Sequence, residues 1–351
     1  MLDFYTNKKV FVTGHTGFKG TWLCRILLQS GADVIGYALE SSTTPSLFDQ
    51  TKTEKDIHSI IGDVRDRNSL IRAVQDVKPD IVFHLAAQPI VRLSYREPVA
   101  TYETNIIGTV NVLEAVRLTS SIKSFVNVTT DKVYENKEWH WGYRENENLC
   151  GYDPYSNSKS CSELVTYGYR NSFFSDKNSS AISTVRSGNV IGGGDYAEDR
   201  IIPDCIRAVN EKKEILVRNP HSIRPYQHVL ECLSGYLLLT EKQYKNKSFE
   251  GAYNFGPDNE SCITTEKLTS LFCDAWGSGA AWCVQEDGGP HEANFLKLDC
   301  SKSKAVLGWK PCWDIKTAIE QTVKFAKSKT DVERLTCIDR QIQEYFPDND
   351  V

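Results

Sequence analysis

The sequence predicts an α/β fold: a doubly wound parallel sheet with a smaller mixed α/β lobe on its C-terminal side. Three observations lead there. Short apolar runs alternate with amphipathic stretches through the first half of the chain. A glycine-rich segment joins the first run to the first amphipathic stretch. Beyond about residue 190 the alternation loosens into shorter, more irregular pieces.

Lys9–Thr13 reads as a buried strand, an apolar run stopped by Gly14. Residues 20–30 read as a helix, with Trp22, Leu23, Ile26 and Leu27 on one stripe and Gly31 at the C-terminal end. Asp33–Ala38 and residues 57–62 are the next strands, and 69–77 a helix. Residues 80–85 form a fourth strand ending in Ala86-Ala87, and 104–118 a long helix. A fifth strand covers 124–129, a helix 155–171 and a sixth strand 182–187. Such alternation means parallel strands joined by helical crossovers.

Later come helices over 201–210, 229–240 and 265–276, a short strand at 215–217, and a Gly-rich loop plus strand over 277–290. These pieces are expected to cover the carboxyl ends of the strands, where ligands bind in such sheets. The expected organisation is a sheet domain over 1–188 and a lobe over 189–330 with some segments returning to the first domain. A tail over 331–351 reads as a surface helix or a loose end.

With 351 residues and 40% hydrophobic content, one large or two medium domains are expected. The net charge of -5, with both signs spread along the chain, excludes nucleic-acid binding by bulk electrostatics. No apolar run approaches the length of a transmembrane helix, and the first residues lack the apolar core of a signal peptide. Eleven cysteines stand singly without a Cys-x-x-Cys. Reduced thiols and a cytoplasmic location are expected. No metal site is expected: His291-Glu292 are adjacent, and neighbours do not readily face one ion.

Gly14-x-x-Gly17-x-x-Gly20 follows a strand and opens a helix, the context of a dinucleotide phosphate loop. Gly14 permits the turn, Gly17 admits the pyrophosphate, and Gly20 lets helix and strand pack closely. Phosphates would face the helix N-terminus, in the manner of a Rossmann domain. Leu39 and Glu40 follow strand two without a clean match to an acid at its tip. Asp63, after strand three, is placed to hold the adenine amino group. Ala86 and Ala87 leave room for the cofactor. Asn105 reads either as a hydrogen-bonding group near it or as a purely structural one.

Tyr155-x-x-x-Lys159 puts a phenol and an ammonium on one helical face. The ammonium is expected to favour phenolate and so make Tyr155 a general base for a hydroxyl. Thr129 or Thr130 would hydrogen-bond that hydroxyl. Asp131-Lys132, at the end of strand five, adds a second acid/base set, so more than a hydride is expected to move. Asn189, Arg200, Arg224 and His228 are candidates for a phosphorylated ligand, since arginine offers bidentate geometry to a diphosphate.

These residues resemble a known family. Gly14-His15-Thr16-Gly17-Phe18-Lys19-Gly20 with Trp22 looks like the extended short-chain dehydrogenases, in particular the sugar-nucleotide 4,6-dehydratases of the CDP-glucose branch. So do Pro45-Ser46-Leu47-Phe48, His84-Leu85-Ala86-Ala87-Gln88, Thr130-Asp131-Lys132-Val133-Tyr134-Glu135-Asn136, Arg200-Ile201-Ile202-Pro203-Asp204 and Arg224-Pro225-x-Gln227-His228-Val229. Leu298-Asp299-x-Ser301-Lys302 and Leu307-Gly308-Trp309-x-Pro311 extend the match to about residue 325.

The resemblance implies NAD as cofactor, with Thr16, Phe18, Val64, Leu85, Thr129, Tyr155 and Lys159 joining the glycines, Asp63, Ala86, Ala87 and Asn105 around it. It implies CDP-glucose as substrate, with Gln88 and His291 joining the substrate contacts. Tyr155 would accept the 4-hydroxyl proton as hydride leaves C4. A base would then remove the acidified C5 proton, the 6-hydroxyl would leave as water, and the hydride would return to C6. Related dTDP-glucose and GDP-mannose enzymes carry an acid pair where this chain has Asp131-Lys132, so a carboxylate base at C5 is excluded at that position. Lys132 would act as the neutral amine and Asp131 as the acid. The resemblance also implies a homodimer built on the Asn105 and Tyr155 helices.

Other readings are a UDP-N-acetylhexosamine 4,6-dehydratase, which also uses an Asp-Lys pair; a 4-epimerase, which has no use for one; and a non-catalytic NAD-binding sensor.

Overall fold

The computed structural model describes residues 2–277, 279–285 and 295–347. Its centre is a parallel sheet of seven strands. These are β1 (Lys9–Thr13), β2 (Asp33–Ala38), β3 (His58–Ile61), β4 (Ile81–His84), β5 (Ser124–Val128), β6 (Ala181–Ser187) and a seventh strand, Ala252–Phe255. The order runs seventh strand, β6, β5, β4, β1, β2, β3. The reversal beside β1 opens a crevice at the carboxyl ends of β1 and β4. Every residue of β4, β5 and β6 is buried, as expected of parallel strands covered on both faces. The doubly wound fold expected from the sequence is borne out.

One face of the sheet carries α1 (Phe18–Gln29) and the helix Val229–Lys245, which pack Trp22, Leu23, Ile26, Leu233 and Leu237 onto β1 and β5. The other face carries the helices Arg67–Val77 and Gly108–Arg117, through Leu70, Val74, Val112, Leu113 and Val116. Each such side chain, fully buried, contributes about 1.5–3 kcal/mol. A separate core gathers Ile202, Cys205, Ile215, Val217, Leu268, Phe272 and Ile319, from the chain beyond β6.

Some elements differ from expectation. The helix expected over 104–118 begins as a π turn, Glu103–Ile107, before becoming α-helical at Gly108. Asn105 lies in that turn and is buried. The seventh strand, Ala-Tyr-Asn-Phe, was not anticipated: it is four residues long and contains a buried polar Asn254. A helix over Ile315–Ala326, capped by Asp314, was likewise missed. The stretch after Lys327 is a docked helix, Asp331–Tyr345, started by a Thr330/Glu333 capping box. It buries Ile338, Ile342 and Tyr345, and its Asp339 accepts from Arg25 at 3.0 Å. No helix among the described residues is long and apolar enough to cross a membrane.

Candidate active site

A cleft of about 1120 Å³ opens over the carboxyl ends of the strands. Its floor begins at the tip of β1. The Thr13 hydroxyl accepts from the Leu85 and Ala86 amides at 3.1 and 3.2 Å and pairs with His84 Nδ1 at 2.8 Å, which locks the tips of β1 and β4 together. Gly14 has φ +76°, and a Cβ there would lie 2.7 Å from the Ala86 nitrogen. A Cβ on Gly20 would lie 2.1 Å from the Gly14 carbonyl oxygen, so α1 packs on the loop only because residue 20 is glycine. Gly17 differs: it is exposed to the cleft and its nearest obstruction is 3.4 Å away. It is also the N-cap of α1 and makes no side-chain cap, so the first N–H groups of the helix have no side-chain acceptor there.

Thr16 and Phe18 line the cleft, as do Asp63, Val64, Leu85, Ala86 and Ala87. Thr16 donates to the Leu39 carbonyl at 2.9 Å and ties the loop to β2. The Asp63 carboxylate receives Arg65 through Nε and Nη2, at 2.9 and 2.6 Å to one oxygen, and this bond holds its pKa below the usual range. Glu40 lines the cleft too.

Tyr155 enters from the helix Pro154–Phe173, whose start is fixed by Asp153 accepting from the Ser156 amide at 2.9 Å. Lys159 lies one turn on, and both side chains are buried. The expectation that Lys159 brings the phenol toward neutrality is not met. Burial pushes Tyr155 up to about 12, while the Thr130 hydrogen bond and the Arg200 cation pull it down. The Lys159 ammonium is directed at the Val128 carbonyl, 3.1 Å away. Burial, then the neighbouring Lys19 cation, bring Lys159 down to about 8, against the upward pull of Glu163.

The second acid/base set sits on one 3-10 turn, Asp131–Val133, capped by the Thr130 hydroxyl. Lys132 lines the cleft, with Nζ 3.5 Å from Asp131 Oδ1 and 3.5 Å from Asn189 Oδ1. Asp131, expected beside Lys132 as the acid, is instead fully buried and does not line the cleft. Its Oδ1 accepts from the Thr130 hydroxyl at 3.0 Å, and its Oδ2 is buried without a partner. Thr129 also departs from expectation. Its hydroxyl donates to Glu163 at 2.5 Å and to the Val185 carbonyl at 3.2 Å, which leaves Thr130 as the threonine that meets Tyr155.

On the far wall Asn189, Arg200 and Arg224 line the cleft. Arg200 donates to Asp195 at 2.9 Å, and Arg224 to the Ile223 carbonyl at 3.1 Å. Three expected contacts do not line the cleft. The Gln88 amide is occupied within its own loop, donating to Thr101 and accepting from Ile90. Asn105 clasps the Gln88 backbone through both its amide atoms and donates on to Ser158. His228 is fully buried between Trp22 and Trp313, its Nδ1 accepting from the Leu230 amide as a helix cap. His291 lies outside the described residues. Lys19, Arg92, Glu135 and Arg218 line the cleft and were not singled out. For Lys19 a signal existed, a cation in the first turn of the helix that the glycine loop opens.

The buried histidines predict a pH response. Burial lowers His228 and His84 to about 3 and His15 to about 4, below the ordinary 6.5. The folded chain therefore binds fewer protons than the unfolded chain between those values. This stability is complete above about pH 6.5 and is lost as pH falls through that window. Tm measured by thermal melts should drop between pH 7 and pH 5, and His228→Asn, which keeps a cap acceptor, should flatten the slope. A Tm unchanged over that range contradicts the account.

The chain is similar to known proteins along most of its length. A family model described as GDP-mannose 4,6 dehydratase matches residues 11–322. The chain belongs to this family. The CDP-glucose 4,6-dehydratase of Salmonella typhimurium is 48% identical over 99% of each chain. The dTDP-glucose 4,6-dehydratase of Streptomyces antibioticus is 28% identical over 90% of this chain and 91% of its own. Among solved structures, a Thermus thermophilus UDP-glucose 4-epimerase complex with NAD has a TM-score of 0.79 at 24% identity, covering 92% of this chain and all of its own. A Bacillus anthracis dTDP-glucose 4,6-dehydratase in complex with NAD has a TM-score of 0.76 at 21% identity, covering 90% and 96%. This fold thus occurs in both a dehydratase and an epimerase, and the side chains in the cleft must separate the two.

Proposed function

We propose that the chain converts CDP-glucose to CDP-4-keto-6-deoxyglucose with loss of water, using NAD as a resident cofactor. The observation that carries this reading is Lys132, with Asp131 beside it, in the same cleft as Tyr155. A 4-epimerase moves a hydride off C4 and back and needs only the tyrosine. A lysine at the strand-five tip serves a step at C5. The CDP preference is supported by the 48% identity to the Salmonella typhimurium enzyme.

The glycine loop fits the cofactor. Gly17 leaves open space in front of an α-helix N-terminus that has no side-chain cap, which suits a pyrophosphate. Asp63 and Val64 would hold the adenosine end, and Leu85, Ala86 and Ala87 leave the width for it. NAD when bound supplies the acceptor for the C4 hydride and returns that hydride at C6. Tyr155 takes the proton of the 4-hydroxyl, with Thr130 hydrogen-bonded to the phenol and Lys159 one helical turn on, its ammonium on the Val128 carbonyl. The resulting ketone acidifies C5–H. Lys132, as the neutral amine, takes that proton. The ammonium so formed delivers a proton to the 6-hydroxyl, which leaves as water. Asp131, buried behind Lys132, acts through it rather than by touching the sugar. Arg200, Arg224 and Asn189 bind the diphosphate side.

The test is incubation of the purified protein with CDP-glucose and NAD, followed by the ultraviolet band that 4-keto sugars show in base. The band is expected. Formation of an epimer without it overturns the reading.

A second copy of the chain is the partner we propose. Val99, Ile107, Leu164 and Tyr167 are exposed large hydrophobic side chains on neighbouring helices around Asn105 and Tyr155. Sedimentation is expected to give twice the mass of one chain, and Leu164→Glu with Tyr167→Glu the single mass. A wild-type protein that sediments as one chain contradicts this. The setting we propose is the cytosol, where eleven unpaired thiols are stable.

A further inference from the structure

Behind the cleft wall lies a buried ion pair that makes no contact with the cleft. Glu163 stands one helical turn beyond Lys159. Its carboxylate accepts from the hydroxyls of Thr129 and Thr184 at 2.5 and 2.6 Å and from Arg186 Nε and Nη2 at 2.9 Å each. Both side chains of the pair are 3% exposed. Arg186 turns its remaining nitrogen, Nη1, to the Tyr134 hydroxyl at 2.8 Å and the Glu145 carbonyl at 3.1 Å. Tyr134 donates on to Asn254 Oδ1 at 2.7 Å.

Thr129 and Tyr134 are the residues immediately before and after segment 130–133, which carries Asp131 and Lys132. The pair therefore grips both flanks of that segment at once. A buried salt bridge is weak evidence for stability, because desolvation offsets much of the attraction. Its geometry is the informative part: a planar guanidinium fork on a carboxylate fixes direction as well as distance. Lys132 has little else to place it, since both its polar contacts are long, at 3.5 Å. Tyr155 is placed independently, by its own helix and the Asp153 cap.

We propose that the Glu163–Arg186 pair is a clamp that positions the Lys132 turn for elimination, with Tyr134 as its second jaw. This rests on the dehydratase reading above. The clamp residues act through Lys132 and are positioning residues. Misplacing a reacting group by about an ångström costs on the order of 100-fold, so loosening one jaw should slow elimination while oxidation at C4 continues.

The test uses full-length Tyr134→Phe, which removes one hydroxyl, and Arg186→Lys, which keeps the charge and loses the fork. In each, 4-keto product formation and solvent deuterium entry at C5 should fall about 10- to 100-fold together. KM should stay within about twofold, and single-turnover reduction of NAD within about threefold, because Arg186 lies off the cleft, Tyr134→Phe keeps the ring that lines it, and Tyr155 is untouched. Arg186→Lys serves if Tyr134→Phe does not fold, and the reverse. Unchanged product formation in a folded variant overturns the clamp, as does an equal fall of oxidation and elimination. A wild-type protein that makes no 4-keto sugar overturns the dehydratase reading instead, so the two failures are separable.

Discussion

Lys132→Ala is expected to stop the reaction halfway. With the amine gone the base assigned to the C5 proton is lost, and its neighbour Asp131, fully buried, does not replace it. Removing a general base costs roughly 10²–10⁴-fold, so product formation should fall about 10³-fold, or ~4 kcal/mol of transition-state stabilisation. Solvent deuterium should no longer enter at C5. Oxidation at C4 should persist and be visible as reduced nicotinamide that accumulates. Normal deuterium exchange at C5 in this variant would sink the assignment.

Tyr155→Phe is expected to block the earlier step, and with it everything after. No reduced nicotinamide should appear, and product formation should fall by about 10⁴-fold, the upper end for a lost proton-transfer group. The variant should fold, because the ring remains in its buried place. A companion change has a worked sign. The Thr130 hydrogen bond pulls the Tyr155 phenol down against burial. Thr130→Val removes that pull, so the phenol holds its proton to higher pH and the rising limb of kcat against pH moves upward. A limb that stays in place or moves down contradicts the assigned contact.

The sequence made the sheet legible because its strands are continuous apolar runs. Lys9–Thr13 and Asp33–Ala38 matched to the residue, and the first six strands found by pattern all belong to one sheet, while the short strand at 215–217 pairs in a separate one. The seventh strand escaped the same logic, since its Asn254 serves the Tyr134 network rather than an apolar core. The final helix looked polar because only Ile338, Ile342 and Tyr345 of its one buried stripe are large and apolar. In the site, the glycine loop and the Tyr155 helix could be placed from spacing alone. Direction could not. Gln88, Asn105 and His228 sit in motifs that border the cleft, yet each turns its side chain into the protein, because each satisfies backbone groups that a turn or helix start leaves open. Helical spacing put Tyr155 and Lys159 on one face but could not show that a strand carbonyl would draw the ammonium away. The Glu163–Arg186 pair joins residues far apart in sequence on a helix and a strand, so no local pattern announces it.

In the proposed reaction the hydride taken from C4 comes back to C6 of the same sugar after water has left. CDP-glucose carrying deuterium at C4 tests it directly, with the product read by mass and by NMR. The deuterium is predicted at C6 of a 4-keto-6-deoxy sugar, with catalytic NAD sufficing for many turnovers. Deuterium still at C4 of an epimer, or consumption of one NAD for each sugar oxidised, would contradict the account.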